Sequence, residues 1–182
     1  KKIIKIGSVV SGKEFYNLEK KACSFFNHKY AVAVSSGFSA LRLALSSIRK
    51  SNKKMIVGLP AYSCVAIPNA VVNLNMTLKP YDLLKGKFLP DLKKKYLDKL
   101  DAIIFVNTFG NNMTPNKFRF KNINVIEDFT HGFTKTSCNK KSKSLKIISL
   151  HATKLISSFE GGIILTNNKK QYEFLKFNRY YA

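Results

Sequence analysis

With 182 residues, 45% of them hydrophobic and 12% aromatic, the chain has enough apolar material for a packed domain, which excludes a disordered tail. No apolar run is long enough to cross a bilayer, and the opening Lys1-Lys2-Ile3-Ile4-Lys5 is too short and too charged for a secretory signal. The formal charge of +22, from 32 Lys and Arg against 10 Asp and Glu, attracts anions, but the cations are nearly all lysines spread through polar connectors and Arg42, Arg49, Arg119 and Arg179 do not cluster, so no nucleic-acid partner is expected.

In chain order, Tyr30–Ser35 reads as a buried strand and Ser39–Arg49 as a helix with Ala40, Leu41, Leu43, Ala44, Leu45 and Ile48 on a helical period. Met55–Leu59 is the next strand, and Ser63–Leu74 a helix in which Pro68 makes a kink or occupies the first turn. Thr77–Tyr81, Asp101–Val106, Asn124–Glu127, Leu145–Ser149 and Gly162–Thr166 follow as strands, and Lys169–Tyr180 as the last helix. Strands alternating with helices predict an α/β fold with a mainly parallel sheet, with an antiparallel member allowed in the close pair around residue 154. Cys23, Cys64 and Cys138 form no metal-binding or redox spacing, so reduced thiols in a cytoplasmic protein are expected.

Ligands on such sheets gather beyond the carboxyl ends of the strands, so the residues that follow each strand are the candidates. Ser36-Gly37-Phe38-Ser39 opens a helix and can offer free backbone N–H groups to a phosphate, or form an ordinary N-cap. Pro60-Ala61-Tyr62 places an aromatic ring at a strand end, either to stack on a planar ligand or to sit in the core with a wet hydroxyl. Asn107-Thr108-Phe109-Gly110-Asn111 has clear turn chemistry and no assigned role. Glu127 and Asp128 end an apolar strand, where carboxylates need partners if dry, and His131 lies three residues beyond Asp128. Ser149 ends another strand.

Most lysines sit in runs such as Lys93–Lys95. Lys154 sits instead among Ala, Thr, Leu and Ile, within Ser149-Leu150-His151-Ala152-Thr153-Lys154, closing on Phe159-Glu160-Gly161-Gly162. Apolar surroundings would disfavour its ammonium form and leave a nucleophilic amine. A phosphate cradle, an aromatic platform, a carboxylate and such a lysine on one side of a sheet are together what pyridoxal 5'-phosphate requires.

These segments, in this order, resemble the DegT/DnrJ/StrS-type family of nucleotide-sugar aminotransferases, pyridoxal-phosphate enzymes of the aspartate-aminotransferase fold. The matching text is Tyr30–Gly37 with Ser39-Ala40-Leu41, Pro60-Ala61-Tyr62, Val125-Ile126-Glu127-Asp128, Ser149 to Lys154, Glu160-Gly161-Gly162 and Thr166-Asn167. The resemblance implies a three-layer α/β/α large domain of the fold type I kind over residues 1–182, with the C-terminal small domain missing. It implies that Lys154 is the Schiff-base lysine and proton shuttle. Asp128 then pairs with the pyridine nitrogen, His131 lies near the phenolic oxygen and Tyr62 stacks on the ring. Gly37, Ser39 and Ser149 form the phosphate cup, in which Phe38 stands where the family usually has Thr, removing a hydroxyl. The implied reaction moves an amino group from an amino acid, usually glutamate, onto a keto-sugar linked to a nucleoside diphosphate, in a homodimer. Two other readings are a sugar dehydratase of the same fold, which Lys154 argues against, and a non-catalytic remnant.

Overall fold

The structure is a computed structural model that describes residues 12–50, 53–111, 120, 122–133 and 141–181. The opening lysines, Arg119 and Cys138 lie outside the described residues. Helix α1 (Lys13–Phe25) was not expected from the sequence, because the segment is polar on the whole and it fully buries only Glu19 and Ala22. Glu19 is held by its partners: Oε1 accepts the Ala33 N–H at 2.9 Å and the Arg179 guanidinium at 2.9 Å.

Strand β1 (Tyr30–Val34) leads into helix α2 (Gly37–Ser47), which starts where Ser36, in extended conformation, accepts the Ser39 N–H at 3.0 Å. That N-cap places the start two residues before the expected Ser39. Strand β2 (Ile56–Pro60) is followed by helix α3 (Ala66–Val72), shorter than the expected Ser63–Leu74 because the Ser63 hydroxyl turns back to donate to the Pro60 carbonyl at 3.1 Å. Pro68 sits in the first turn of α3, where a missing N–H costs nothing. Strand β3 (Thr77–Tyr81), the short helix α4 (Lys94–Leu97), and strands β4 (Ala102–Val106), β5 (Asn124–Asp128), β6 (Leu145–Ser149) and β7 (Gly162–Thr166) precede helix α5 (Lys169–Asn178).

The seven strands form one sheet in the order β1-β7-β6-β5-β4-β2-β3. Strand β7 runs antiparallel to both β1 and β6, and the other pairings are parallel. The carboxyl ends of β1, β2, β4, β5 and β6 therefore share one edge with the start of β7. Val34 and Ser149 both pair with Gly162, so only one strand separates the start of α2 from the segment carrying Lys154.

Side chains alternate across the sheet. Val32, Val57, Ile104, Ile126, Ile147 and Ile164 join Leu41 and Leu45 of α2 and Ile67 of α3 in the principal core. Each such side chain contributes about 1.5–3 kcal/mol by leaving water. On the opposite face Phe26, Phe129, Ile148 and Leu165 pack together with Ala22 of α1, and Tyr81, Ile103 and Phe105 pack with Tyr96 and Leu97 of α4. The resulting architecture is α/β, a mostly parallel sheet with helices on both faces.

Candidate active site

The residues after the strands meet at the shared edge. The α2 turn lies directly on β6: a Cβ added to Gly37 would stand 2.8 Å from Ser149 Cβ and 3.0 Å from its Oγ. The same turn crosses β7, since a Cβ on Gly162 would stand 2.2 Å from the Ser36 carbonyl oxygen. Ser35 and Ser39 hydroxyls are 2.9 Å apart, and Ser149 Oγ accepts the His151 N–H at 3.3 Å. Gly37 and Ser149 thus meet at the start of an 11-residue helix with Ser39 in its first turn, and the helix dipole favours an anion there. Phe38 is half-buried against the principal core.

Asp128, at the end of β5, is 4% exposed. It shares a face with Ile126, and its Oδ1 accepts the Thr130 N–H at 2.8 Å. Burial pushes its carboxyl above the ordinary carboxylate range, while the hydrogen bonds from Thr130 and the electrostatic pull of His131 and Lys154 work the other way. The imidazole and the amine, from two different loops, therefore both bear on the Asp128 carboxyl.

Lys154 is only half-buried, and its neighbours Thr153 and Leu155 are exposed. The expectation of an amine dried by apolar surroundings is corrected here. The Ala, Thr, Leu and Ile around it lie on an exposed excursion between β6 and β7 and form no hydrophobic wall, while the charge of Lys154 bears on the Asp128 carboxyl. The excursion is tied by Leu150 N–H to Gly161 O at 2.8 Å and Ala152 N–H to Phe159 O at 2.9 Å, with His151 Nε2 3.4 Å from Glu160 Oε1. Its turn is closed by Lys154 N–H to His151 O at 2.9 Å.

Among the described residues, the dehydrated lysine is Lys146. It is 1% exposed, its Nζ lies 2.5 Å from Glu127 Oε1 and 4.8 Å from the Phe129 ring centroid, and the Ser144 hydroxyl donates to the same carboxylate. Glu127 and Lys146 are register partners on the face opposite Asp128. Of the two adjacent carboxylates, one serves this buried pair and the other the site.

Tyr62 is 61% exposed and starts a row of rings. It lies 6.0 Å from Phe88, which is 5.6 Å from Phe109, which is stacked at 6.0 Å and 25° on His131. The row links the ends of β2, β4 and β5. Phe88 was missed because it lies in an irregular connector. Phe109 had a readable signal, an aromatic next to a glycine just past a strand.

Compared with known proteins, residues 1–181 match the DegT/DnrJ/EryC1/StrS aminotransferase family. The chain belongs to that family. Within it, the chain is 27% identical, over 98% of its length and 50% of the relative's, to the UDP-4-amino-4,6-dideoxy-N-acetyl-beta-L-altrosamine transaminase of Campylobacter jejuni subsp. jejuni serotype O:23/36 (strain 81-176). It is 30% identical, over 90% of its length and 46% of the relative's, to the dTDP-4-amino-4,6-dideoxy-D-glucose transaminase of Shigella dysenteriae. It therefore spans about half the length of these curated relatives. The fold is similar to that of NtdA from Bacillus subtilis with bound cofactor PMP, with a TM-score of 0.81 at 21% identity over 96% of this chain and 41% of that one. It is also similar to AtS13 from Actinomadura melliaura, with a TM-score of 0.83 at 17% identity over 99% of this chain and 52% of that one. The DegT family is pyridoxal-phosphate-dependent, and the mixed, mostly parallel sheet described above is the α/β fold of its members.

Proposed function

We propose that residues 1–182 are the cofactor-binding large domain of a nucleotide-sugar aminotransferase, which moves an amino group from an amino acid onto a nucleotide-linked keto-sugar for glycan synthesis. The observation that carries this reading is a buried Asp128 carboxyl on which His131 and Lys154, from two loops, both bear, at the sheet edge where Gly37 packs on Ser149. The residues fit pyridoxal phosphate on three counts. Gly37 lets the turn that opens α2 lie directly against the Ser149 side chain, where a Cβ would clash. His131 Nδ1 is buried without a hydrogen-bond partner among the described residues. Asp128 is a buried acid already oriented by the Thr130 N–H.

In this reading the α2 turn, Ser39 and Ser149 hold the phosphate, and Tyr62 offers its ring to one face of the pyridine. Asp128 would hold the pyridine nitrogen, and His131 would lie against the phenolic oxygen. Lys154 would hold the coenzyme through Nζ and would carry a proton at that atom. When bound, the coenzyme supplies an electron sink. The family assignment supports a homodimer, and the unpaired thiols of Cys23 and Cys64 support a cytoplasmic location. The nucleotide-sugar substrate rests on the names of the relatives.

The test is optical. The chain mixed with pyridoxal phosphate is expected to gain a visible absorption band, and borohydride to bleach it and leave the coenzyme's mass on the peptide containing Lys154. Lys154→Ala should do neither. Equal labelling of many lysines, with no loss in Lys154→Ala, would overturn the assignment. Specific labelling of a full-length protein that shows no amino transfer would favour the remnant.

A further inference from the structure

Phe109 has no place in the reaction described above, yet the chain holds it in a disfavoured conformation. Its φ is +53°, in the left-handed region that a bulky side chain rarely enters, and it is followed by Gly110 at φ +77°. Despite being 68% exposed, its ring does not project freely. It stacks on the His131 imidazole at 6.0 Å and 25°, with Phe88 edge-on to it at 5.6 Å.

A second observation explains how this stack is built. Gly132, the residue after His131, is pressed against Gly110, the residue after Phe109: a Cβ on Gly132 would stand 2.7 Å from Gly110 Cα and 2.8 Å from its nitrogen. The β4 and β5 loops are thus locked backbone to backbone, and each lock residue is preceded by one partner of the stack. His131 in turn keeps Nδ1 buried and unpartnered and acts electrostatically on Asp128.

We propose that Phe109 is a positioning residue for His131. The left-handed backbone and the two-glycine lock place its ring on the imidazole, restricting the side-chain rotation of His131 and keeping Nδ1 aimed into the site beside Asp128. The proposal rests on the reading that Asp128 and His131 face the coenzyme, and it assigns no chemistry to Phe109 itself.

The experiment has two arms. In the coenzyme-free chain labelled at histidine, the His131 ring protons should show an upfield ring-current shift and contacts to Phe109 in the magnetic resonance spectrum. Phe109→Leu should lose both, Phe109→Tyr should keep them, and Gly132→Ala should lose them while leaving both rings in the chain. In the second arm, pyridoxal phosphate is titrated into each form. Phe109→Leu should raise Kd about 2- to 12-fold, the worth of one aromatic pair, with Phe109→Tyr within about twofold of the parent. His131 signals unchanged in Phe109→Leu would overturn the proposal. So would lost stacking with unchanged Kd, which would make the contact structural only. A parent chain that shows the stack but binds no coenzyme would overturn the broader functional reading, and this role with it, and is recognised by the parent and all variants failing alike.

Discussion

Gly162 lies beneath Ser36 so closely that the smallest side chain would collide with the Ser36 carbonyl oxygen, 2.2 Å away, and crowd Gly37 N at 3.0 Å. The neighbour here is backbone, which cannot swing aside as a flexible side chain can. The strand β7 and the turn that opens α2 are therefore one packed unit, and the position of Gly37 beside Ser149 depends on Gly162 lacking a side chain.

Gly162→Ala is expected to lower stability by about 1–3 kcal/mol, the range for forced repacking. It should also weaken coenzyme binding, because the displaced turn carries Gly37 away from Ser149. A urea midpoint that falls at unchanged slope, with a higher Kd for pyridoxal phosphate, would check it. An unaltered midpoint and Kd would show that the turn and strand separate freely.

Asp128 gives a pH dependence of defined sign. Burial raises its carboxyl above the ordinary value of 3.8, so the folded chain holds this proton more tightly than the unfolded one. Its contribution is favourable below 3.8 and is lost as pH rises through the raised value. Asn at this position keeps an acceptor for the Thr130 N–H and carries no charge to bury. Coenzyme-free Asp128→Asn should therefore melt above the parent at neutral pH, with the gap closing as pH is lowered toward 3.8. In a full-length enzyme the same variant should retain labelling at Lys154 and lose most amino transfer.

His28 supplies the opposite slope. It is 3% exposed, with Nδ1 2.6 Å from the Phe26 carbonyl. Burial chiefly, assisted by the nearby charge of Lys146, depresses its imidazole below 6.5, against the pull of the Phe26 hydrogen bond. The unfolded chain thus takes up this proton first. Stability is complete above 6.5 and is lost as pH falls through the depressed folded value. His28→Leu should flatten the fall in melting temperature below pH 6.5, even though it removes the Phe26 contact.

The buried pair allows a double-mutant cycle. Lys146→Met leaves the Glu127 carboxylate dry and unpaired and should cost about 3–5 kcal/mol. Combining it with Glu127→Gln should recover most of that loss, since both charges are then gone. Chemical denaturation of the four forms measures the coupling, and additive losses would show that the two side chains act independently.

These residues also show how far the chain could be read before its fold was known. Strands β3, β6 and β7 carry the bounds read from apolar runs, because five-residue segments flanked by turn chemistry leave little freedom of register. The antiparallel allowance around residue 154 is met by β7. Helix α1 was overlooked because its narrow stripe of Phe15, Ala22 and Cys23 is diluted by polar residues, and its buried Glu19 is matched only by Arg179, 160 positions away. Proximity in sequence to apolar residues singled out Lys154 and overlooked Lys146, although Lys146 sits within Leu145–Ser149. Burial depends on which face of which strand a residue occupies, and a turn exposes even apolar neighbours. The expectation that dry carboxylates need partners did hold for Glu127, whose partner is that overlooked lysine. The Phe109–His131 stack depends on a left-handed backbone and a glycine-to-glycine contact, neither of which has a pattern along the chain.

Because β6 and β7 run in opposite directions, residues 150–161 leave and re-enter the sheet at adjacent points, Ser149 and Gly162. The reach of Lys154 is then metered by the span of that excursion. Adding or deleting a residue there would slide the amine past an acid whose own strand does not move. Loop length, which no single substitution probes, is the dial by which evolution or an engineer would retune the distance between them.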